Sequence, residues 1–195
     1  MLTDTGTGVD LPDQSRTALD PVHTGVVAEE DVLRAQVYGL LSRTLAKPMS
    51  DETLEIVRGL NGVDDGSPIG AAMKALGDIA VRTTRGKADD EYSALFHGMG
   101  SGGAIHPYAS YFLTGFIYEK PLADLRRDLA EMGVNRSGVS DEPEDHIAFL
   151  CEIMHGLISG SFGAPASVEY QRDFFNRHMA TWAVKFFEEI GRAHV

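Results

Sequence analysis

Apolar side chains return every three or four residues along most of this chain, and this spacing restricts the fold more than any other feature. Between Glu29 and Ala46, valine and leucine repeat at these intervals, which places them on one face of a helix. Alternation of apolar and polar residues, the strand pattern, persists nowhere in the sequence, and no internal repeat is present. We therefore predict an all-α, single-domain helical bundle with no sheet.

Capping residues and prolines divide the pattern into separate predicted helices. Lys47-Pro48 ends the first helix, and Ser50 begins a second that reaches Leu60. Asp141, with Glu144 three residues later, has the capping-box pattern and predicts a helix that includes Asp145 and His146 in its first turn. The other predicted helices run from Ser67-Pro68 to Thr84, Asp89 to Phe96, Pro107 to Tyr118, Pro121 to Gly133 and Val168 to Glu189.

Three further regions are predicted from composition. Residues 1–28 are rich in Thr, Asp, Gly and Pro and are expected to form a disordered leader, so the helical domain covers residues 29–189. Residues 135–140 form a polar linker. The last six residues, 190–195, resemble the translation of a sequencing adapter. We therefore expect a non-native tail, a missing native C-terminal helix, and exposure of Trp182, Phe186 and Phe187.

Charge and composition exclude several classes of protein. The 17 basic and 29 acidic side chains give a formal net charge of -12, and Arg126-Arg127 is the only adjacent basic pair, so we expect no nucleic-acid binding. The acidic surface either attracts cationic partners or serves solubility alone. No run approaches the roughly 18 apolar residues of a membrane span. With a single cysteine, Cys151, and no export signal at the start, the chain is expected in the cytoplasm, without stable membrane insertion.

The glycines at 98, 100 and 103 match the phosphate-binding pattern G-x-G-x-x-G, but their surroundings do not. A dinucleotide site needs a strand before the loop, whereas residues 89–96 have helical spacing. The G-K-[ST] sequence that supplies a phosphate lysine is also missing. We interpret the loop as a connection between helices.

The histidines of the sequence are compatible with a second functional class, a metal-dependent enzyme. Glu152 and His155 have the Glu-x-x-His spacing of di-iron bundles, but the sequence contains no second pair of this kind. A helical metal-dependent enzyme that uses His106, His146 or His178 with nearby carboxylates remains the alternative to a binding protein. A simple structural subunit without peptide preference is a third reading.

Four short motifs occur in order along the chain: EYSALF at 91–96, PYASY at 107–111, EPEDHI at 142–147, and His178 with Trp182. In order and separation they resemble the TorD family of cytoplasmic chaperones, which includes DmsD-like proteins and helps mature molybdenum-containing redox enzymes. The E-P-x-D-H form of the third motif is the most specific. The positions that support the resemblance outside the implied binding groove are Glu91, Leu95, Phe96, Pro107, Pro143, His178 and Trp182.

The resemblance implies a protein that catalyses no reaction itself. Such a chaperone binds the twin-arginine signal peptide and the apo form of a molybdoenzyme catalytic subunit, assists insertion of the molybdenum cofactor, and holds back premature export. A peptide with two guanidiniums before an apolar stretch suits carboxylates beside an apolar trough. The implied groove residues are Tyr108, Ser110, Tyr111, Glu142, Glu144, Asp145 and His146.

The resemblance also bears on client, cofactor and assembly. The stretches 107–126 and 142–154 are most similar to members associated with formate dehydrogenase, with dimethyl sulfoxide, trimethylamine N-oxide or nitrate reductases as the other clients. No cofactor is required; some members are associated with weak guanine-nucleotide binding, and transient contact with molybdopterin is implied. Because family members exchange halves at the linker, the chain is expected to be a monomer or a domain-swapped homodimer.

Overall fold

The structure is a computed structural model, and it describes residues 28–63, 65–98, 103–134 and 142–193. These residues form nine α-helices and no strand, which confirms the all-α prediction. A 3₁₀ turn, Leu60–Gly62, follows α2, and a π-helical turn, Ser93–His97, follows α4. The helices are α1 Glu29–Ala46, α2 Asp51–Gly59, α3 Pro68–Arg82, α4 Arg85–Tyr92, α5 Ala109–Thr114, α6 Lys120–Glu131, α7 Ile147–Ser159, α8 Val168–His178 and α9 Ala183–Ala193.

Helix α7 forms the centre of the main core. Nine of its 13 residues are buried, and they lie on all sides of the helix rather than on one stripe. A helix that is apolar all round belongs in the interior of a protein. Side chains from α5, α6, α8, α9 and the turn before α9 complete this core, among them Leu125, Phe174, Trp182 and Phe186.

Helix α1 lies directly against α7, and a glycine permits the close approach. A Cβ atom at Gly39 would come within 3.2 Å of His155 Nδ1. His155 Nδ1 lies 2.8 Å from the carbonyl oxygen of Ala35, to which it donates a hydrogen bond. His155 therefore joins α7 to α1. This helix contact gives the histidine of the Glu-x-x-His spacing a structural role.

Helices α2 and α3 form a hairpin with a small core of its own. Leu54, Val57 and Ala80 are its buried residues. Arg58 of α2 donates to the carbonyl oxygens of Ala80 and Thr83, at 3.1 and 2.7 Å, and so caps the C-terminal end of α3. None of the motifs that the sequence singled out lies within this hairpin.

Three predicted helices differ from the structure. The segment predicted over 107–118 is helical only in α5, because Gly115 ends the helix in a left-handed conformation with a φ of 86°. The helix predicted from Asp141 begins at Ile147, so Asp145 and His146 precede α7 instead of occupying its first turn. The helix predicted over 168–189 is interrupted at residues 179–182. The indole N–H of Trp182 donates to the carbonyl oxygen of His178 at 2.7 Å, and this bond replaces a backbone partner at the end of α8.

The burial of the C-terminal aromatic residues also corrects the sequence-based expectation. Trp182 and Phe186 are 1% and 0% exposed, because both pack against Phe112 of α5. Of the three residues expected to be exposed, Phe187 alone is. Residues 190–193 form the last turn of α9. Several predicted regions lie outside the described part of the chain. They are the leader apart from its last residue, Ala28, then the linker at 135–140, Asp141, and residues 194–195. None of the helices described is long and apolar enough to cross a membrane.

Candidate functional site

Two of the sequence motifs meet side by side in the structure. The backbone at Tyr108 pairs with that at His146 in an isolated antiparallel bridge. Ala109 N–H donates to the carbonyl oxygen of Asp145 at 3.0 Å, and Ile147 N–H donates to that of Pro107 at 2.9 Å. This crossing places the start of α5 against the start of α7, so the PYASY and EPEDHI motifs build one corner. We call residues 107–110 and 142–147 the motif corner.

Asp145 is the most enclosed acidic group of the motif corner. Its side chain is 1% exposed, and its Oδ2 accepts a hydrogen bond from Ser110 N–H at 2.8 Å. Asp145 therefore caps the first turn of α5 from a different segment of the chain. Tyr108 occupies the N-cap position of α5, but its side chain makes no capping hydrogen bond. The other carboxylate oxygen, Oδ1, and the Ser110 hydroxyl are buried without a hydrogen-bond partner among the described residues.

His146 caps α7 through its ring. Its Nδ1 accepts a hydrogen bond from Ala148 N–H at 3.1 Å, so the imidazole is neutral and carries its proton on Nε2. Burial lowers the pKa of His146, although the nearby charges of Glu142 and Asp145 oppose the shift. The capping histidine thus takes the place of the capping box predicted at Asp141.

Tyr108 covers His146 and extends to the acidic edge of the corner. The two rings meet edge to face with centroids 5.3 Å apart, and the Tyr108 hydroxyl donates to the Glu142 carboxylate. Burial is the largest cause that raises the pKa of Tyr108, followed by this hydrogen bond and the nearby charge of Glu142. Glu144 pairs with Arg126 of α6 at 2.7 Å. Glu142 and Glu144 therefore both lie beside the point where the two segments cross at Tyr108 and His146.

A buried Asp–His pair joins α6 to α8. Asp128 Oδ2 lies 2.8 Å from His178 Nε2 and also accepts a hydrogen bond from Arg177. Burial lowers the pKa of His178 and outweighs the hydrogen bond and charge of Asp128, which raise it. We call Asp128, Arg177 and His178 the α6–α8 clasp. The sequence motifs include His178 but neither of the other two clasp residues. Asp128 lies 50 positions away from His178 along the chain, and Arg177 belongs to no motif.

A cavity of about 200 Å³ separates the motif corner from the clasp. Asp145 lies on one side of it, and Asp128, Arg177 and His178 lie on the other. Asp124 and Arg127 of α6 also border it, and they form an ion pair at 3.0 Å. The apolar part of the wall consists of Ala109, Leu113, Pro121, Leu125 and Leu150.

An exposed apolar segment follows the motif corner along the chain. From Tyr111 to Tyr118 the sequence is YFLTGFIY, and Phe116 and Tyr118 are 69% and 62% exposed. Tyr118 has a φ of 64°, a left-handed conformation that is unusual for a large side chain. It lies close enough to Tyr108 to contribute to the raised pKa of that residue. We call residues 111–118 the apolar segment.

The structure distributes the other predicted residues around this site. Tyr111 is exposed and meets His106 edge to face at 4.4 Å. Pro107 and Pro143 are buried in the corner. Leu95 is buried in the core, whereas Glu91 is exposed. Phe96 stacks on Phe186 with centroids 6.4 Å apart, so the EYSALF motif contributes to the core.

The histidines of the metalloenzyme alternative have separate partners. His106 contacts Tyr111, His146 caps α7, and His178 pairs with Asp128. Across the ranges described, no three His, Cys, Asp or Glu side chains are grouped so that they could hold a metal ion. The geometry gives this alternative no support.

The chain matches the family described as the nitrate reductase delta subunit over residues 64–188, more than half of its length. It is 27% identical over 175 residues to the chaperone protein TorD of Vibrio parahaemolyticus serotype O3:K6, and the match covers 80% of this chain and 81% of that protein. It is 28% identical over 173 residues to TorD of Vibrio cholerae serotype O1 strain El Tor Inaba N16961, with 80% and 78% covered.

Among solved structures, the fold is similar to that of a protein from Archaeoglobus fulgidus described as a redox enzyme maturation protein. The TM-score is 0.50 at 20% identity, and the match covers 75% of this chain and 80% of the other. This similarity supports the fold. The prediction of a chaperone without catalytic activity is confirmed by the family. The chain belongs to the TorD-like family of chaperones for molybdoenzyme maturation.

Proposed function

We propose that this chaperone binds the twin-arginine signal peptide and the apo form of a molybdoenzyme catalytic subunit. Binding takes place in the cytoplasm, assists insertion of the molybdenum cofactor, and delays export until insertion is complete. The binding surface consists of the motif corner and the apolar segment. The observation that carries the proposal is the position of a solvent-exposed apolar segment next to a corner with three carboxylates.

The two parts of this surface match the two parts of a signal peptide. The basic part offers guanidiniums, for which Asp145, Glu142 and Glu144 supply acceptors on one corner. The apolar part needs an aromatic or aliphatic surface, which Phe116 and its neighbours provide. Large apolar side chains that lie together on a surface are a common sign of a protein or peptide interaction.

The formal net charge of -12 supports the same partner. A surface with excess negative charge accelerates the encounter with a cationic peptide and is less effective in high salt. The proposed client is a formate dehydrogenase, because the stretches 107–126 and 142–154 resemble chaperones associated with that enzyme. Dimethyl sulfoxide, trimethylamine N-oxide and nitrate reductases are the alternative clients.

Calorimetric titration with the signal peptide of a candidate formate dehydrogenase tests the proposal. We expect micromolar or tighter binding to the wild-type chain. Phe116→Ser should weaken this binding at least tenfold, which corresponds to about 1.4 kcal/mol. Phe116 is largely exposed, so the substitution should leave the melting temperature nearly unchanged.

Ile79→Ser is the matched control. Ile79 is 57% exposed on α3, in the hairpin that contains none of the motif-corner residues, and its substitution should not change peptide affinity. Equal losses in both variants would show that the peptide binds exposed apolar surface without regard to place. No binding by the wild-type chain to any of the candidate signal peptides would contradict the proposed function.

A further inference from the structure

A second cavity, also of about 200 Å³, lies between α1 and α8, and we call it the α1–α8 groove. Its polar wall consists of Arg34, Tyr38, Gln171 and Arg172. Its apolar wall consists of Met154, Val168 and Phe175. We propose that this groove binds one monocarboxylate group attached to a compact apolar body. The inference goes beyond the proposed function, because the groove shares no lining residue with the motif corner or the apolar segment.

The first argument is the sign of the charge in the groove. Its wall contains the guanidiniums of Arg34 and Arg172 and, among the residues that the structure describes, no carboxylate. Arg34 pairs with Asp31 at 3.4 Å, whereas Arg172 forms no ion pair or hydrogen bond within the described ranges. The groove therefore has an excess of one positive charge on a chain whose formal net charge is -12. An anion with a single charge would balance this excess.

The second argument is the way in which Arg34 is held. Its guanidinium donates to Oε1 of Gln171, and Nε2 of Gln171 donates to the carbonyl oxygen of Ala166 at 2.8 Å. Gln171 is 4% exposed, so these bonds fix Arg34 at the junction between α1 and α8. A guanidinium that is already fixed loses little side-chain entropy when a ligand binds, and its planar fork of donors matches a carboxylate.

Tyr38 adds a neutral donor beside the two arginines. Its hydroxyl has no hydrogen-bond partner in the part of the chain that the structure describes. Burial is the largest cause that raises the pKa of Tyr38, while the nearby charge of Arg34 opposes the shift, so the phenol keeps its proton at neutral pH. A protonated phenol donates to a carboxylate oxygen without requiring a second negative charge on the ligand.

The third argument is the volume and the apolar part of the wall. A groove of about 200 Å³ exceeds the roughly 150 Å³ of an engineered cavity that accepts benzene. Met154, Val168 and Phe175 would contact a ring or a branched aliphatic group next to the carboxylate. A phosphate group uses none of this apolar wall, and its charge of roughly -2 is larger than the groove leaves unbalanced. The wall therefore favours a monocarboxylate with an apolar body.

Titration of the full chain with hydrocinnamate, a carboxylate on a phenylethyl body, tests the groove. The side-chain amide signals of Gln171 in nitrogen–proton NMR spectra are the local readout, because this side chain accepts from Arg34. We expect saturable binding that shifts these signals. Hydrocinnamide, which has the same body and no charge, should bind roughly tenfold more weakly, because the charge-assisted hydrogen bonds are lost.

Arg172→Gln should weaken the binding of hydrocinnamate roughly tenfold, since it removes the guanidinium that has no partner. Arg43→Gln is the matched control. Arg43 is also exposed and forms no ion pair with any described residue, but it lies outside the groove. The control loses the same charge and should change affinity by less than about twofold, because solvent screens a distant exposed charge.

A second pair of variants leaves the charge unchanged. Val168→Phe places a larger side chain in the groove and should weaken the binding of hydrocinnamate. Val184→Phe makes the same change at an exposed position of α9, outside the groove, and should not alter affinity. Val168 and Val184 are 50% and 67% exposed, so both variants should keep the melting temperature of the wild type.

Two natural sources offer the same chemical group, a free organic acid and the C-terminus of a peptide. Acetyl-alanyl-phenylalanine presents the carboxylate as a peptide C-terminus, and its C-terminal amide is the control. Binding that is tighter than that of hydrocinnamate would support the groove and indicate a peptide C-terminus as the source. Weaker binding of the dipeptide, with hydrocinnamate bound as expected, would support the groove and indicate a free acid.

Three results would overturn the inference. They are equal binding of hydrocinnamate and hydrocinnamide, an equal loss of affinity in Arg172→Gln and Arg43→Gln, and displacement of hydrocinnamate by an equal concentration of inorganic phosphate. Binding of the signal peptide is measured with a different ligand and different variants. Failure of the groove therefore leaves the proposed function standing, and failure of the proposed function leaves the groove standing.

Discussion

The motif corner and the α6–α8 clasp each contain a buried aspartate and a buried histidine, but the surroundings of these residues differ. In the α6–α8 clasp, Asp128 holds both His178 and Arg177, so its charge is compensated within the protein. In the motif corner, Asp145 accepts one backbone hydrogen bond and has an oxygen without a partner among the described residues. Both histidines have a pKa lowered by burial.

This difference indicates separate roles for the two pairs. A carboxylate whose hydrogen bonds and charge are satisfied stabilises the contact between helices, and nothing is left for a ligand to improve. A carboxylate that is buried and partly unsatisfied is held in place by the fold but retains capacity for a donor. The clasp is therefore structural, whereas the motif corner retains an acceptor, as the proposed binding role requires.

The largest expected effect is the loss of stability in Asp128→Ala. The change leaves Arg177 and the buried His178 without their shared acceptor, and breaking such a pair costs about 3 kcal/mol. Urea denaturation should show this decrease in the free energy of unfolding. The control is Asp124→Ala, which removes a more exposed carboxylate of α6 and should cost less than about 1 kcal/mol. Similar values for the two variants would argue against a structural role for the clasp.

Acidification should destabilise the protein through both pairs. Because burial lowers each histidine pKa below the ordinary value of 6.5, the unfolded chain binds protons more readily than the folded chain. Stability is fully present above pH 6.5 and is lost as the pH falls towards the folded-state pKa. In this pH range, each histidine lowers the free energy of unfolding by at most about 1.4 kcal/mol per pH unit.

Unfolding in urea at pH 7.5 and 5.5 measures this dependence. His146→Asn keeps an acceptor for Ala148 N–H, and His178→Gln keeps a donor for Asp128, but neither side chain titrates. Each variant should lose less stability than the wild type on acidification. An unchanged pH dependence in both variants would mean that the two histidines are not the groups responsible.

A smaller effect on stability is expected for Asp145→Asn, in spite of the burial of this residue. The asparagine oxygen can accept from Ser110 N–H, and the substitution removes a buried charge that no described cation compensates. The free energy of unfolding should change by less than about 1 kcal/mol. A loss as large as that in Asp128→Ala would place Asp145 with the structural pair and remove the contrast between them.

The smallest effect is expected at the edge of the motif corner. Glu144 pairs with Arg126, whose side chain is largely exposed, and ion pairs of this kind contribute little to stability. Glu144→Gln should change the free energy of unfolding by no more than about 0.5 kcal/mol. If Glu144→Gln destabilised the fold by several kcal/mol, the edge of the corner would have the structural role assigned to the clasp.

Local sequence signals predicted most of the fold. Ser50 and Ser67 cap α2 and α3, where the sequence placed them, because capping depends on residues three positions apart. The start of α7 could not be predicted in this way. Residues 142–146 are held outside the helix by pairing with residues 107–109, and this contact spans almost 40 positions. The interruption before α9 depends on the hydrogen bond of the Trp182 indole, which the spacing of apolar residues cannot predict.

The candidate site was predictable where a motif identified it. The resemblance selected Tyr108, Ser110, Asp145 and His146, and the structure brings these four together. It did not select Asp128, because a lone aspartate in an amphipathic helix has no distinguishing neighbours. Its partner His178 lies 50 positions away, so only the packing of α6 against α8 reveals the clasp.

The most direct measurement compares two peptides on two proteins by calorimetry. The peptides are the signal peptide with its arginine pair and the same peptide with a lysine pair; the proteins are the wild type and Asp145→Asn. Lysine retains the charge but lacks the planar fork of donors. We predict that the wild type prefers the arginine peptide at least tenfold and that Asp145→Asn loses this preference. An equal preference in both proteins would contradict a binding role for Asp145.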